Sequence, residues 1–127
     1  MRDLKKSKTP NLGPDWQMMI AYNAALQLTA AALSAYRYRV RSESHHYRMV
    51  QSLKWTLDWS SSDIKRFEAF RKKRNTSSYR KAHTVTSKEA EEMLLLAYRL
   101  HKEVLELLKS KHPDVFYSLP GELRKTQ

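Results

Sequence analysis

Apolar residues recur at helical spacing along most of the chain, and this pattern predicts four main helices. The first runs from about residue 16 to about residue 38. Pro14 and Asp15 form its start, because proline suits the first helical position and an acid favours the positive helix end. Its centre is rich in alanine, a strong helix former, and has apolar residues on two faces. We therefore expect a central helix covered by neighbours on both sides.

The second and third helices are predicted over about residues 44–58 and 61–74, with a serine as the cap of each. The alternating segment 36–41 resembles a strand, but no partner strand is in view, so it is interpreted as a helix end and a connection. The apolar positions that support the two helices are Tyr47, Val50, Leu53 and Leu57, then Ile64, Phe67 and Phe70.

The fourth helix has the clearest start, since Thr86 is followed three residues later by Glu89 in the pattern of a capping box. Pro113 is expected to end it. Its apolar rows predict packing against near-parallel helices. These rows are Ala90, Ala97 and Val104, and Met93, Leu100 and Leu107.

These elements predict an all-α, four- to five-helix up-and-down bundle. Residues 1–12 are expected to form a flexible basic N-terminal tail, and 13–112 the bundle. Residues 113–127 form a C-terminal tail, whose apolar cluster at 115–119 is expected to dock on the bundle or on a second chain.

Composition narrows the function classes. A chain of 127 residues with 2 Gly and 4 Pro favours one domain and argues against an all-β fold. The absence of cysteine excludes disulfides, a thiolate nucleophile and a cysteine-based zinc site. No run of roughly 18 apolar residues predicts a membrane span, and the basic start lacks the apolar run of a signal peptide. We expect a soluble, cytoplasmic protein with no membrane contact.

The formal charge of +11 favours contact with a polyanion such as RNA, or with an acidic protein. The alternative is that lysines and arginines only solvate helix surfaces. One segment, residues 71–83, concentrates the cations. The candidate nucleic-acid-binding residues are Arg71, Lys72, Lys73, Arg74, Arg80 and Lys81.

Within this segment, Arg74 is suited to hold a phosphate and Tyr79 to stack on a base. Asn75 can hydrogen-bond locally, and His83 can move a proton. The alternative is a basic loop between helices, in which Asn75 ends the helix and Tyr79 only fills space between packed side chains.

His45 and His46 are candidates for proton transfer rather than for metal binding. Adjacent residues on a helix point about 100° apart, so the pair is poorly placed to share one metal ion. No nucleophile motif and no phosphate-binding glycine loop is present. No metal and no cofactor is expected.

Four segments together resemble the HEPN superfamily, closest to small prokaryotic members with an Arg-Asn-x-x-x-Tyr signature. The resemblance covers roughly residues 15–110. The segments are AYNAALQLTAAAL (21–33), SHHYRMVQSL (44–53), FRKKRN with the following Tyr79 (70–79), and TSKEAEEM (86–93).

The resemblance implies an up-and-down helical bundle that forms a homodimer. It also implies a metal-independent ribonuclease of a toxin–antitoxin or defence system, with an antitoxin or nucleotidyltransferase as partner. The family motif is an arginine, four to six residues, and a histidine that assists attack by the ribose 2′-OH. Arg74 matches the motif arginine and Asn75 the polar residue after it, whereas Tyr79 stands at the histidine position. His45 or His46 is then a hypothetical source of imidazole.

Three functions remain open from the sequence. The first is an RNA-directed protein, including a ribonuclease that uses Arg74, Asn75, Tyr79 and a histidine of the pair 45–46. The second is a non-catalytic dimer that binds nucleic acid or an acidic protein. The third is a purely structural helical dimer. A helix-turn-helix DNA reader is less consistent, because a serine-rich link joins the second and third helices.

Overall fold

The structure is a computed structural model that describes residues 13–38, 46–79 and 85–124, with the backbone alone for 74–79 and 123. Throughout these ranges the regular elements are helices, and the predicted all-α bundle is confirmed. The helices are α1 (Pro14–Ala35), α2 (His46–Thr56), α3 (Ser61–Tyr79), α4 (Ser87–Lys111), α5 (Pro113–Ser118) and the single turn α6 (Gly121–Arg124).

α1 is the central helix, as its two apolar faces predict. It contacts α2, α3 and most extensively α4. Its small residues Ala21, Ala24 and Ala25 are fully buried, which lets the neighbouring helices approach closely. The ring of Tyr22 packs edge-on against Phe67 of α3, with ring centroids 5.8 Å apart.

α1 is also long and apolar enough to cross a membrane by length and composition, which differs from the sequence expectation. However, 61% of its most apolar window is buried inside the bundle. The core helix of a bundle can have the same length and apolar composition, because burial in a protein and burial in lipid favour the same residues.

The helix directions define two ends of the bundle. A hydrogen-bond contact of 3.0 Å joins the His112 ring, just after α4, to the carbonyl of Ala35 at the end of α1. Since α1 and α4 also pack side by side, they run in the same direction. The Tyr36 hydroxyl donates to the carbonyl of Thr56 at 3.5 Å, so α2 ends there too. We call this end, where α1, α2 and α4 finish, the C-terminal pole.

α3 runs the opposite way. Asp63 near its start pairs with Arg99, whereas Lys73 near its end pairs with Glu89 at the beginning of α4. We call the end where α3 finishes and α2 and α4 begin the N-terminal pole. Direction therefore alternates from α2 to α4, as in an up-and-down bundle, while α1 and α2 share a direction.

The predicted capping box is confirmed at the start of α4. The Glu89 N–H donates to Thr86 Oγ1 at 3.1 Å, and the Thr86 N–H donates to Glu89 Oε1 at 3.0 Å. The predicted rows of α4 are buried, except that Leu107 is partly exposed. Pro113 both follows the end of α4 and begins α5, where Phe116 is buried.

α3 is longer than the sequence suggested. It continues through Tyr79, so Asn75 does not end it and the segment 75–79 is not a loop. The physical reason is that Asn, Thr and Ser lower helix propensity by only tenths of a kcal/mol, roughly 0.7 at most per residue. No glycine or proline occurs in this stretch to stop the helix.

Candidate functional site

The described part of the basic segment, residues 71–79, lies on the second half of α3, at the N-terminal pole. The side chains of Arg71, Lys72 and Lys73 are described, and the backbone continues as a helix to Tyr79. The predictions for Arg80, Lys81, His83 and His45 lie outside the described residues.

Arg71 is held by two partners from different helices. Its Nε donates to Glu68 Oε1 at 2.5 Å, and its guanidinium lies 5.8 Å from the ring centroid of Tyr47 in α2. Glu68 is a buried residue, so the arginine compensates a carboxylate that is removed from water. Arg71 therefore connects α3 to the start of α2 and is less available to an incoming phosphate than its sequence position suggests.

Lys73 is also paired with a carboxylate. Its Nζ lies 3.4 Å from Glu89 Oε2 in the capping box of α4. The pKa of Glu89 is lowered, first by the hydrogen bond from the Thr86 backbone and then by Lys73. Because Glu89 stays ionised, part of the Lys73 charge is neutralised. Lys72 is more exposed than either of these two residues.

The same kind of pairing continues along the α3–α4 contact. Arg66 pairs with Glu92, and Arg99 pairs with Asp63 at 3.0 Å and with Glu103 at 2.7 Å. The pKa of Asp63 is lowered by hydrogen bonds from Arg99 and Ser60. Among the described residues, three ion pairs therefore join α3 to α4, namely Lys73–Glu89, Arg66–Glu92 and Arg99–Asp63, and they account for these cations without any ligand.

The helical backbone of α3 fixes how the motif positions are arranged. At about 100° per residue, positions 74 and 79 lie about 140° apart around the helix axis. Positions 71, 75 and 79 follow one another at four-residue spacing and share one face. One chain thus places Asn75 and Tyr79 on the same side of α3 and Arg74 on another.

His46 is the first residue of α2 and is partly exposed. The next residue, Tyr47, is the one whose ring contacts Arg71. The start of α2 therefore lies beside the second half of α3, and an imidazole is present at the same pole as the basic segment. Within the described ranges no group of three or more His, Cys, Asp or Glu side chains is arranged to hold a metal ion.

The sequence prediction missed an aromatic cluster at the C-terminal pole. The indole of Trp55 lies between Tyr36 and Tyr38, with ring centroids 5.4 Å and 5.3 Å away. The Nζ of Lys111 lies 4.4 Å from the centroid of Tyr36. The only sequence signals were the alternating aromatic segment at 36–38 and a tryptophan outside the apolar row of α2.

Comparison of the chain with protein-family models, with curated proteins and with solved structures finds no match. The candidate functional residues lie at the two poles of the bundle. The N-terminal pole holds the basic segment, the capping box and His46. The C-terminal pole holds the aromatic cluster and Lys111.

Proposed function

We propose that this protein is a HEPN-like, RNA-directed protein that contacts RNA at its N-terminal pole. The observation that carries the proposal is the meeting of the basic half of α3 with the first residues of α2 and α4, through Arg71–Tyr47 and Lys73–Glu89. A helix start carries a partial positive charge, even at α4, where the capping box already binds the Glu89 N–H. Added to side-chain cations and a net charge of +11, this partial charge favours a phosphate backbone as ligand.

In the catalytic form of the proposal, the protein is a metal-independent ribonuclease of a toxin–antitoxin or defence system. Arg74 holds the scissile phosphate, and His46 accepts the proton of the ribose 2′-OH as that oxygen bonds to phosphorus. The bond from phosphorus to the 5′-oxygen breaks, the leaving oxygen takes up a proton from water, and a 2′,3′-cyclic phosphate remains. A homodimer supplies two such sites, and an antitoxin or nucleotidyltransferase is the expected protein partner.

A second candidate is a non-catalytic homodimer that binds RNA or an acidic protein. Two observations favour it. Tyr79 occupies the position where the family motif has a histidine. In addition, α3 is helical through this segment, so positions 74 and 79 lie about 140° apart around one helix axis.

An RNA cleavage assay in the presence of EDTA distinguishes the ribonuclease from the non-catalytic protein. For a ribonuclease, Arg74→Ala and His46→Ala each reduce the cleavage rate by a factor of about 100 or more, the usual contribution of such groups. Lys102→Ala, an exposed cation of α4, is the matched control and leaves the rate unchanged. Equal cleavage by wild type and Arg74→Ala contradicts the catalytic assignment, and no cleavage of varied RNAs by wild type leaves the binding form.

Measuring RNA binding at several salt concentrations tests whether the N-terminal pole contacts phosphates. The ribonuclease and the non-catalytic RNA-binding protein both require this contact. Affinity for single-stranded RNA should fall with salt at a logarithmic slope of about −0.7 per neutralised phosphate. Arg74→Ala should make this slope shallower by about 0.7, because one phosphate contact is lost. Affinity that does not change with salt contradicts phosphate recognition at this pole.

A further inference from the structure

The aromatic cluster at the C-terminal pole has ring surface that the core does not use. Trp55 is 50% exposed and Tyr38 is 59% exposed, although each lies against another ring. Tyr36 is more covered, by Trp55 and by Lys111. Exposed aromatic rings held in place by their neighbours are the arrangement that stacks on planar ligands, because little side-chain entropy is lost on binding.

One cation contacts the cluster, and two exposed cations are next to its rings in sequence. Lys111 lies over Tyr36, Lys54 is exposed one residue before Trp55, and Arg37 is exposed between the two tyrosines. The acids close in sequence are Asp58 and Asp114, both exposed. A ligand with planar rings and negative charge between them matches this surface, and single-stranded nucleic acid has both.

Arg37 occupies a position that would suit glycine. Its φ is 67°, in the left-handed region where an L side chain is strained. The Arg37 N–H donates to the Ser34 carbonyl at 2.8 Å, and the Tyr38 N–H donates to the Leu33 carbonyl at 3.0 Å. These are the two hydrogen bonds of a Schellman helix end, in which glycine is usual at this residue. The chain has instead a cation beside the exposed ring of Tyr38.

We propose that the C-terminal pole is a second RNA contact, which binds unpaired bases. Trp55 and Tyr38 stack on the bases, while Arg37, Lys54 and Lys111 contact the flanking phosphates. The inference shares with the proposed function the premise that RNA is the ligand, and it adds the substrate class. Single-stranded RNA presents its base faces to aromatic side chains, whereas a duplex hides them.

The test compares an unstructured single-stranded RNA with a duplex of the same length, bound by the full chain. Trp55→Ala should weaken single-strand binding by about 5- to 150-fold, the range for losing one stacked base. Trp55→Phe keeps a stacking face and should retain most of the affinity. Leu95→Ala, an exposed apolar position on α4, is the control and should bind as wild type. Duplex binding should be the same for all four proteins.

Salt dependence distinguishes the rings from the cations. Trp55→Ala should lower affinity at every salt concentration without changing the slope, because stacking releases no counterion. Arg37→Gly should make the slope shallower by about 0.7, and it relieves backbone strain, so a loss of affinity is not a loss of folding. Thermal unfolding of each variant checks this.

Four results would overturn the inference. The first is wild-type affinity of Trp55→Ala for single-stranded RNA. If Arg74→Ala weakens binding in the same assay, the proposed function still stands. Equal losses on single strand and duplex exclude base stacking. If Trp55→Ala is unfolded, Arg37→Gly decides, because an unchanged salt slope for this variant excludes the phosphate contact. A wild-type protein that binds no RNA contradicts both proposals.

Discussion

The two poles of the bundle hold their cations in different ways. At the N-terminal pole, Arg71 and Lys73 pair with carboxylates, Glu68 and Glu89, and Arg71 also lies over the ring of Tyr47. At the C-terminal pole, Lys111 lies over the ring of Tyr36. A carboxylate cancels the charge of its partner, whereas an aromatic ring holds a cation without cancelling it. A cluster of cations in a sequence therefore overstates the positive potential where acids are close, and it does not show where rings preserve that potential.

The first prediction concerns the apolar core between the two poles, so the substitution should destabilise the whole bundle. Phe67 is fully buried and contacts the rings of Tyr22 and Trp59. Phe67→Ala should lower the free energy of unfolding by about 3–5 kcal/mol, since it removes buried apolar surface and leaves a cavity. Urea unfolding followed by circular dichroism measures the loss. Leu95→Ala, at an exposed position, is the control, and similar losses for both would contradict this description of the core.

The second prediction weakens the N-terminal pole alone. Thr86→Ala should cost about 1 kcal/mol, because the Glu89 N–H loses its capping oxygen. Ser87→Ala is the matched control: it lies one residue later, inside the helix, where alanine is favourable. Equal unfolding midpoints for Thr86→Ala and wild type would show that the cap contributes little.

The third prediction is a substitution at the C-terminal pole that should stabilise the protein. Arg37→Gly should raise the free energy of unfolding by up to about 1 kcal/mol, since glycine adopts a positive φ without strain. Arg48→Gly, at an exposed position inside α2, should instead lose about 1 kcal/mol. Destabilisation by both substitutions would contradict the left-handed conformation at residue 37.

The smallest predicted effect is a change in how the stability of the protein depends on pH. The pKa of Glu89 is lowered in the folded protein, so its contribution to stability is complete above the ordinary glutamate pKa of about 4.3. That contribution is lost as the pH falls through the folded-state pKa. Glu89→Gln should therefore reduce stability at neutral pH and make it less dependent on pH in this acid range. Glu91→Gln, an exposed position on the same helix, is the control, and identical pH profiles for the two variants would contradict the assignment.

The features predicted well from the sequence are those set by neighbours along the chain. The capping box at Thr86 needs only four consecutive residues, and the buried rows of α4 follow from one helical period. The extension of α3 through Tyr79 was missed because polar residues were interpreted as a stop, although they only weaken a helix.

The features that were missed depend on distant residues. Trp55 and Tyr36 form a cluster only because α1 and α2 end at the same pole, and a local pattern cannot reveal a shared direction. The HEPN-like assignment, the roles of Arg74 and His46, the homodimer and the cytoplasmic location stay predictions.

The contact between α1 and α4 has a consequence for how the chain folds during synthesis. The partners Ala35 and His112 are 77 positions apart, and α4 covers more of α1 than any other helix does. The apolar faces of α1 therefore stay largely uncovered until the last third of the chain has left the ribosome. We expect slower folding than for a bundle of local hairpins, and a nascent chain that is prone to aggregate before α4 emerges.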